Sequence, residues 1–146
     1  MRKSIVVVLS VIGLAVPSVD AWAAAHATVG KTAVKKKVVV ATKSFTGPAA
    51  QAAEWGPLQV TIVVKRTTTT VGTKKTVKKK ITAVKVPVSP NHTNRSIYIN
   101  QQALPYLIQE TLQAQGSGIN MVSGASDSSG AFIQSLQSAV MSAKAW

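Results

Sequence analysis

The chain reads as a small α+β domain, a small antiparallel sheet packed against two main helices, and three observations point there. Residues 58–66 and 80–88, "LQVTIVVKR" and "KITAVKVPV", are β-branched runs with partial alternation. Residues 104–112 place Leu104, Leu107, Ile108 and Leu112 at the i, i+3, i+4, i+8 spacing of one helical face. A second helical stripe follows near the end, in Phe132, Ile133, Leu136, Val140 and Met141. The 146 residues suffice for one domain with a modest core.

The elements follow in order. Residues 1–25 read as an export signal. Arg2 and Lys3 open it, an apolar run over 4–16 is short for a bilayer span, and Pro17 ends the run. The stretch "DAWAAAHA" then offers small residues at alternate positions, and cleavage is expected after Ala25, with retention as an uncleaved anchor the other reading. Residues 26–44 read as a basic tether carrying Lys31, Lys35, Lys36, Lys37 and Lys43, ending in a short strand near 38–42. Residues 45–57, "FTGPAAQAAEWGP", have Gly-Pro at both ends and read as turns.

The two strands are expected to pair as an antiparallel hairpin, with residues 67–79 as a long Lys-rich polar connection around Gly72. In the second strand Thr82, Val84, Val86 and Val88 are expected on one face, and Pro87 marks an edge or a strand end. In the first helix Pro105 belongs to a first turn or marks a break, and Gly116 is the natural C-terminal cap.

Composition removes several function classes. There is no Cys, so disulfides, thiolate metal sites and a nucleophilic thiol are excluded. His26, His92 and the scattered Asp20, Glu54, Glu110 and Asp127 do not make a His/carboxylate metal set. No G-x-S-x-G elbow supports a serine hydrolase, and no G-x-G-x-x-G fingerprint supports direct use of NAD(P)H. Redox chemistry would therefore need a bound organic cofactor.

The formal net charge is +13, from 17 Lys and Arg against 4 Asp and Glu. From Ser96 onward Lys144 is the single basic residue, so the charge sits in the tether and hairpin. Outside the cell such an ensemble would meet lipid headgroups, wall polymers or an acidic partner. Nucleic acid is not expected, given the export signal and basic runs without interleaved aromatics to stack bases.

The stretch "INMVSGASDSSGAF", residues 119–132, enters the last helix, which is expected to begin near 128–130. A helix N-terminus offers unpartnered N–H groups and a partly positive dipole end. Gly124 and Gly130 allow close approach of a ligand, and Ser123, Ser126, Ser128 and Ser129 add hydroxyls, which together suit a phosphate. The plainer reading is a solvated loop in which Asp127 or Ser128 caps the helix.

Residues 45–143, including "FTGPAAQAAEWGPLQVTIVV", "ITAVKV" and "INQQALPYLIQETLQAQGSGINMVSGASDSSGAFIQSLQSAV", resemble the FMN-binding domain of extracytoplasmic flavoprotein subunits in Na⁺-pumping and Rnf-type redox complexes and of small exported actinobacterial proteins. The domain would span 45–146. The family's flavinylation pattern is Asp-x-x-Ser/Thr-Gly-Ala-Thr. Here Ser123, Gly124 and Ala125 match it, Ser126 stands at the acceptor Thr, and Asn120 stands at the Asp.

The resemblance implies an FMN whose phosphate is held at, or esterified to, Ser126, with Ser128 as a hydrogen-bond partner. It also implies maturation by a separate Mg²⁺-dependent flavin transferase and electron exchange with a membrane redox partner. Trp55 and Tyr106 are candidates to border the flavin ring, or are packing residues. The resulting expectation is an exported one-flavin electron carrier more than a self-sufficient enzyme. The alternative is an exported basic module that attaches to envelope polyanions without a redox role. N-terminal sequencing of the protein recovered from the envelope or medium should begin at His26, and a start at Met1 would mean that the segment is kept as an anchor.

Overall fold

A computed structural model describes residues 34–146. The expected signal segment and the first part of the tether lie outside these residues. The fold is the expected α+β arrangement, an antiparallel sheet of four strands with two helices. Strands β1 (Lys36–Thr46), β2 (Ala50–Gln51), β3 (Pro57–Val71) and β4 (Lys74–Val88) precede α1 (Asn94–Ala114) and α2 (Ser126–Ala145). A short 3-10 turn, Ala53–Trp55, links β2 to β3.

Strand β3 is central. It pairs with β4 along one flank and with β1 and the two residues of β2 along the other. The strands run well past the sequence-based bounds. Thr67, Thr68, Thr69 and Thr70, expected in a polar connection, continue β3 and are paired on both sides, to residues of β1 and of β4. Threonine is β-branched and suits a pleated strand despite its polarity, which is why a polarity-based boundary falls short. The long tip shrinks to a two-residue turn, with Gly72 at φ +59°, the positive φ that such a turn demands at its first central position. On the other flank β1 extends beyond the expected 38–42, in register from Lys36 opposite Val71 to Thr46 opposite Thr61.

Leu58, Val60, Ile62 and Val64 point to one side of β3 and are buried beneath α2 with Phe132, Leu136 and Val140. A bulge reorders β4. Val63 faces Ala83 while Val64 faces Ile81, so Thr82 is the extra residue. Ile81 and Val84 are therefore the buried pair, and Thr82, expected on the Val84 face, is exposed and donates its hydroxyl to the Val63 carbonyl at 3.1 Å.

Helix α1 starts at a capping box. Thr93 Oγ1 accepts from the Ser96 N–H at 3.0 Å, and Ser96 Oγ accepts from the Thr93 N–H at 3.2 Å. Its most buried line is Ser96, Asn100, Ala103, Leu107 and Thr111, with Leu104, Ile108 and Leu112 half-buried beside it. Pro105 lies inside the helix, neither in a first turn nor at a break. It is on the exposed side, as is Gln101 four residues earlier, so the carbonyl that loses its N–H partner faces water. The left-handed position at the helix end is taken by Gln115, at φ +53°, and not by Gly116. The Gln115 amide explains the exchange: Oε1 accepts from the Ile81 N–H at 2.8 Å, and Nε2 donates to the Ile81 carbonyl at 3.1 Å and to the Leu112 carbonyl at 2.6 Å.

Helix α2 buries small residues where large ones were expected. Ser129, Ser135 and Ala139 are fully enclosed with Phe132 and Leu136, while Ile133 is half-buried and Met141 is 70% exposed. The helix lies against the sheet at Gly47, where an added Cβ would sit 1.9 Å from the Ser135 carbonyl oxygen. Ser135 Oγ accepts the buried Val60 N–H at 2.9 Å, just beyond the end of β1. At the C-terminal end of α2, Lys79 Nζ donates to the carbonyls of Ala143 and Lys144 at 3.2 and 2.8 Å. Arg66 donates to the Trp146 carbonyl and stacks on its ring at 4.4 Å. Cations thus complement the negative end of the helix dipole.

Replacing Gly47 with Ala should lower stability by about 3 kcal/mol or more through this backbone clash. Ser135→Ala should cost about 1–3 kcal/mol by stranding the Val60 N–H. Urea unfolding monitored by circular dichroism reads both, and an unchanged midpoint for Gly47→Ala would contradict the contact.

Candidate phosphate cleft at the start of α2

The helix begins two residues before the expected 128–130. Ala125 is its N-cap, at φ −131° and ψ 36°, and Ser126, Asp127 and Ser128 form the first turn. Alanine has no side chain that can cap, and the helix has no side-chain cap hydrogen bond. The plain reading, a helix end closed by Asp127 or Ser128, is thereby corrected. The first intrahelical bond is the Ser129 N–H to the Ala125 carbonyl, at 2.9 Å. The N–H groups of the first turn thus have no partner within the helix.

What holds this end open is the loop before it. Gly124 takes φ +80°, and a Cβ there would meet nothing within 4 Å. The Ala125 N–H donates to the Val122 carbonyl at 3.0 Å, and the Val122 N–H donates to Ser129 Oγ at 3.0 Å. Ser129, one of the hydroxyls counted for a ligand, is therefore spent on the loop and is fully buried.

A shallow cleft of about 120 Å³ lies at this end. It is lined by Gly124, Ala125, Ser126, Asp127 and Ser128 from α2 and its approach, by Arg95, Ser96 and Ile99 from α1, and by Trp55. Of the expected site residues it gathers Ser126, Gly124, Ala125 and Ser128. Ser126 is exposed and Ser128 is 4% exposed. Ser123 is exposed and does not line the cleft. Of the two candidate ring neighbours Trp55 borders the cleft, whereas Tyr106 stands elsewhere on α1, 53% exposed.

Asn120 does not line the cleft either. Its backbone N–H donates to Glu110 Oε2 at 3.1 Å and its Nδ2 donates to Glu110 Oε1 at 2.9 Å, clamping the loop to α1. The amide is what this partner requires. An aspartate at the same place would lose the side-chain donor and set two carboxylates against each other.

Arg95 is the residue that sequence reasoning missed. It sits in the first turn of α1, and its guanidinium lies 5.8 Å from the centre of the Trp55 ring. In the sequence it belongs to "SPNHTNR", which reads as loop, and no pattern there tells which way it points. Asp127 is engaged from the other side, where its Oδ2 accepts from Trp55 Nε1 at 3.2 Å. Trp55 therefore bridges the cation and the carboxylate and fixes the rim.

The volume tests what this cleft can hold. Pockets that enclose a whole small molecule run to roughly 300–1,000 Å³. At about 120 Å³ the cleft admits a phosphate and little more, so a flavin ring would have to lie against its rim. Among the described residues no three His, Cys, Asp or Glu side chains gather so as to hold a metal ion, and no helix is long and apolar enough to cross a membrane. No family model matches the chain, and no curated protein matches it.

Asn120→Asp should loosen the loop before α2, speeding amide exchange over 119–125 by roughly fivefold or more, an effect worth about 1 kcal/mol. Adding Glu110→Gln to Asn120→Asp should restore slow exchange.

Proposed function

We propose that the chain is an exported electron carrier that holds one FMN, with the phosphate at the N-terminus of α2. The observation that carries this reading is the uncapped first turn of α2, where the exposed Ser126 hydroxyl, the buried Ser128 and Arg95 converge on a cleft of phosphate size. An anion there would take the free N–H groups and pair with Arg95, while Asp127, the like charge in the lining, is engaged by Trp55 Nε1.

FMN, when bound, supplies the electron transfer, and the chain supplies position and electrostatics. Arg95 offers charge-assisted hydrogen bonds to phosphate oxygens. Ser128 can donate its hydroxyl from the first turn. Trp55, held by Arg95 on one side and Asp127 on the other, offers a fixed apolar rim. Ser126 is open to solvent, as an acceptor must be if a separate flavin transferase is to reach it. In such a transfer the Ser126 oxygen would form the new bond to phosphorus, a pyrophosphate P–O bond of FAD would break, and AMP would leave, with the hydroxyl proton passing to the transferase.

The residues fit the phosphate of the group and leave its ring to a partner or to the rim. That suits a carrier that exchanges electrons with a membrane redox partner outside the cytoplasm.

The test is co-expression with a flavin transferase, followed by denaturing electrophoresis and peptide mass analysis. In-gel flavin fluorescence and one added FMN on the peptide containing Ser126 are expected, both lost in Ser126→Ala. Flavin that is present in the native protein but lost on denaturation means that the phosphate is held without a bond. Arg95→Ala should then weaken that binding by about tenfold, the loss of one charge-assisted contact. Absence of flavin in both states would sink the proposal.

A further inference from the structure

Among the described residues no element covers the face of the sheet turned away from the helices, and the residues of that face follow from the register. Residues directly opposite across an antiparallel pair share a face. Rows on the outer side are Lys36, Val71 and Lys74, then Val38, Thr69 and Thr76, then Val40, Thr67 and Lys78, then Thr42, Lys65 and Lys80. Beyond the bulge at Thr82, Thr46, Thr61 and Lys85 continue it. The lysines of these rows are all exposed. The strands contain no acidic residue, and Glu54, Glu110 and Asp127 all lie on the 3-10 turn or the helices.

This separates two uses of basic charge. Arg66 and Lys79 belong to the inner rows and are consumed at the end of α2. Among the described residues the outer lysines serve no such contact. Beyond Arg66 and Lys79 the ribbon projects past the helices, and none of its residues is buried.

We propose that this outer face docks a flexible, linear phosphate polymer of the polyol-phosphate kind found in cell envelopes. Lys74, Lys78, Lys80 and Lys85 lie along the single strand β4, a track of roughly 35 Å at about 3.3 Å per residue. Lys36 and Lys65 flank it, and the hydroxyls of Thr67, Thr69 and Thr76 lie between as donors to phosphate oxygens.

The shape selects the occupant. A narrow ribbon twists by roughly 20–25° or more per strand, and a flexible chain can follow that twist where a planar bilayer touches only part of it. A membrane surface also calls for aromatic anchors, and among the described residues every Trp and Tyr lies off this face. The same lack of aromatics removes the platform on which bases would stack.

The test measures binding of the full chain to long-chain polyphosphate across a salt series. The outer variant Lys78→Gln/Lys80→Gln/Lys85→Gln should bind about tenfold or more weakly. Its slope of log affinity on log salt should be about 2 units shallower, at roughly 0.7 per lost contact on a single chain. The control Lys37→Gln/Lys75→Gln/Lys144→Gln removes the same charge elsewhere and should lose less than about threefold, and the outer triple made with Arg should bind as the native chain does. Equal losses in the two Gln triples would mean that net charge alone attracts the polymer, and would overturn the assignment. Tighter binding, per phosphate, to phosphatidylglycerol vesicles or to single-stranded DNA would also overturn it, in favour of a membrane or of bases.

Discussion

The hydrogen bond from the Val60 N–H to the Ser135 hydroxyl stands at the centre of the molecule, and it exists because position 47 has no side chain. Strand β1 ends at Thr46, so the next N–H of β3 has lost its ladder partner inside the core. Helix α2 supplies the acceptor, which it can do only by coming within backbone contact of Gly47. That approach dictates a helix face of Ser and Ala, with Phe132 and Leu136 reaching around it. It also fixes α2 along its axis. The C-terminal end then falls beneath Arg66 and Lys79, and the N-terminal end falls opposite the first turn of α1, where Arg95 waits. One close contact thus positions the cleft at one end and neutralises the helix at the other.

The sequence made the architecture legible because large apolar residues report burial well. The hairpin, the two helices and their order all follow from Leu58, Val60, Ile62, Leu107, Phe132 and Leu136 and their neighbours. What it misplaced were polar residues in structural roles. The threonines of β3 read as a connection because they are polar, whereas their β-branching suits the strand they form. Met141 reads as core because a large apolar side chain ordinarily marks a buried face, whereas close packing selects Ser135 and Ala139. The bulge at Thr82 was invisible, since one inserted residue reverses the facing of a strand without changing its composition. Gln115 displaces Gly116 at the end of α1 because two hydrogen bonds to strand β4 outweigh a left-handed penalty.

The cleft was partly legible for a similar reason. Ser126, Gly124, Ala125 and Ser128 are contiguous, and a sequence displays contiguous sites well. Arg95 and Trp55 arrive from distant segments, and only packing brings them in. Asn120 was singled out by its neighbours in sequence and finds its meaning in Glu110, ten residues upstream and on another element. The polar and charged groups of this protein are thus divided among three tasks. Some fasten helix ends, some shape the cleft, and six exposed lysines line the outer face of the sheet.

The Gln115 clamp guards part of the open edge of β4. A strand at the margin of a sheet offers unpaired N–H and C=O groups to any passing chain. Along β4 the exposed half bristles with Lys74, Lys75, Lys78, Lys79 and Lys80, which repel a second copy of the same strand. The apolar rung at Ile81 has no such charge, and there the glutamine amide occupies both backbone groups in the manner of one more strand. Near its far end Pro87 has no N–H to offer. The β4 margin is thus closed by repulsion, by mimicry and by omission in turn, so that along this edge little backbone is left for another strand to pair with.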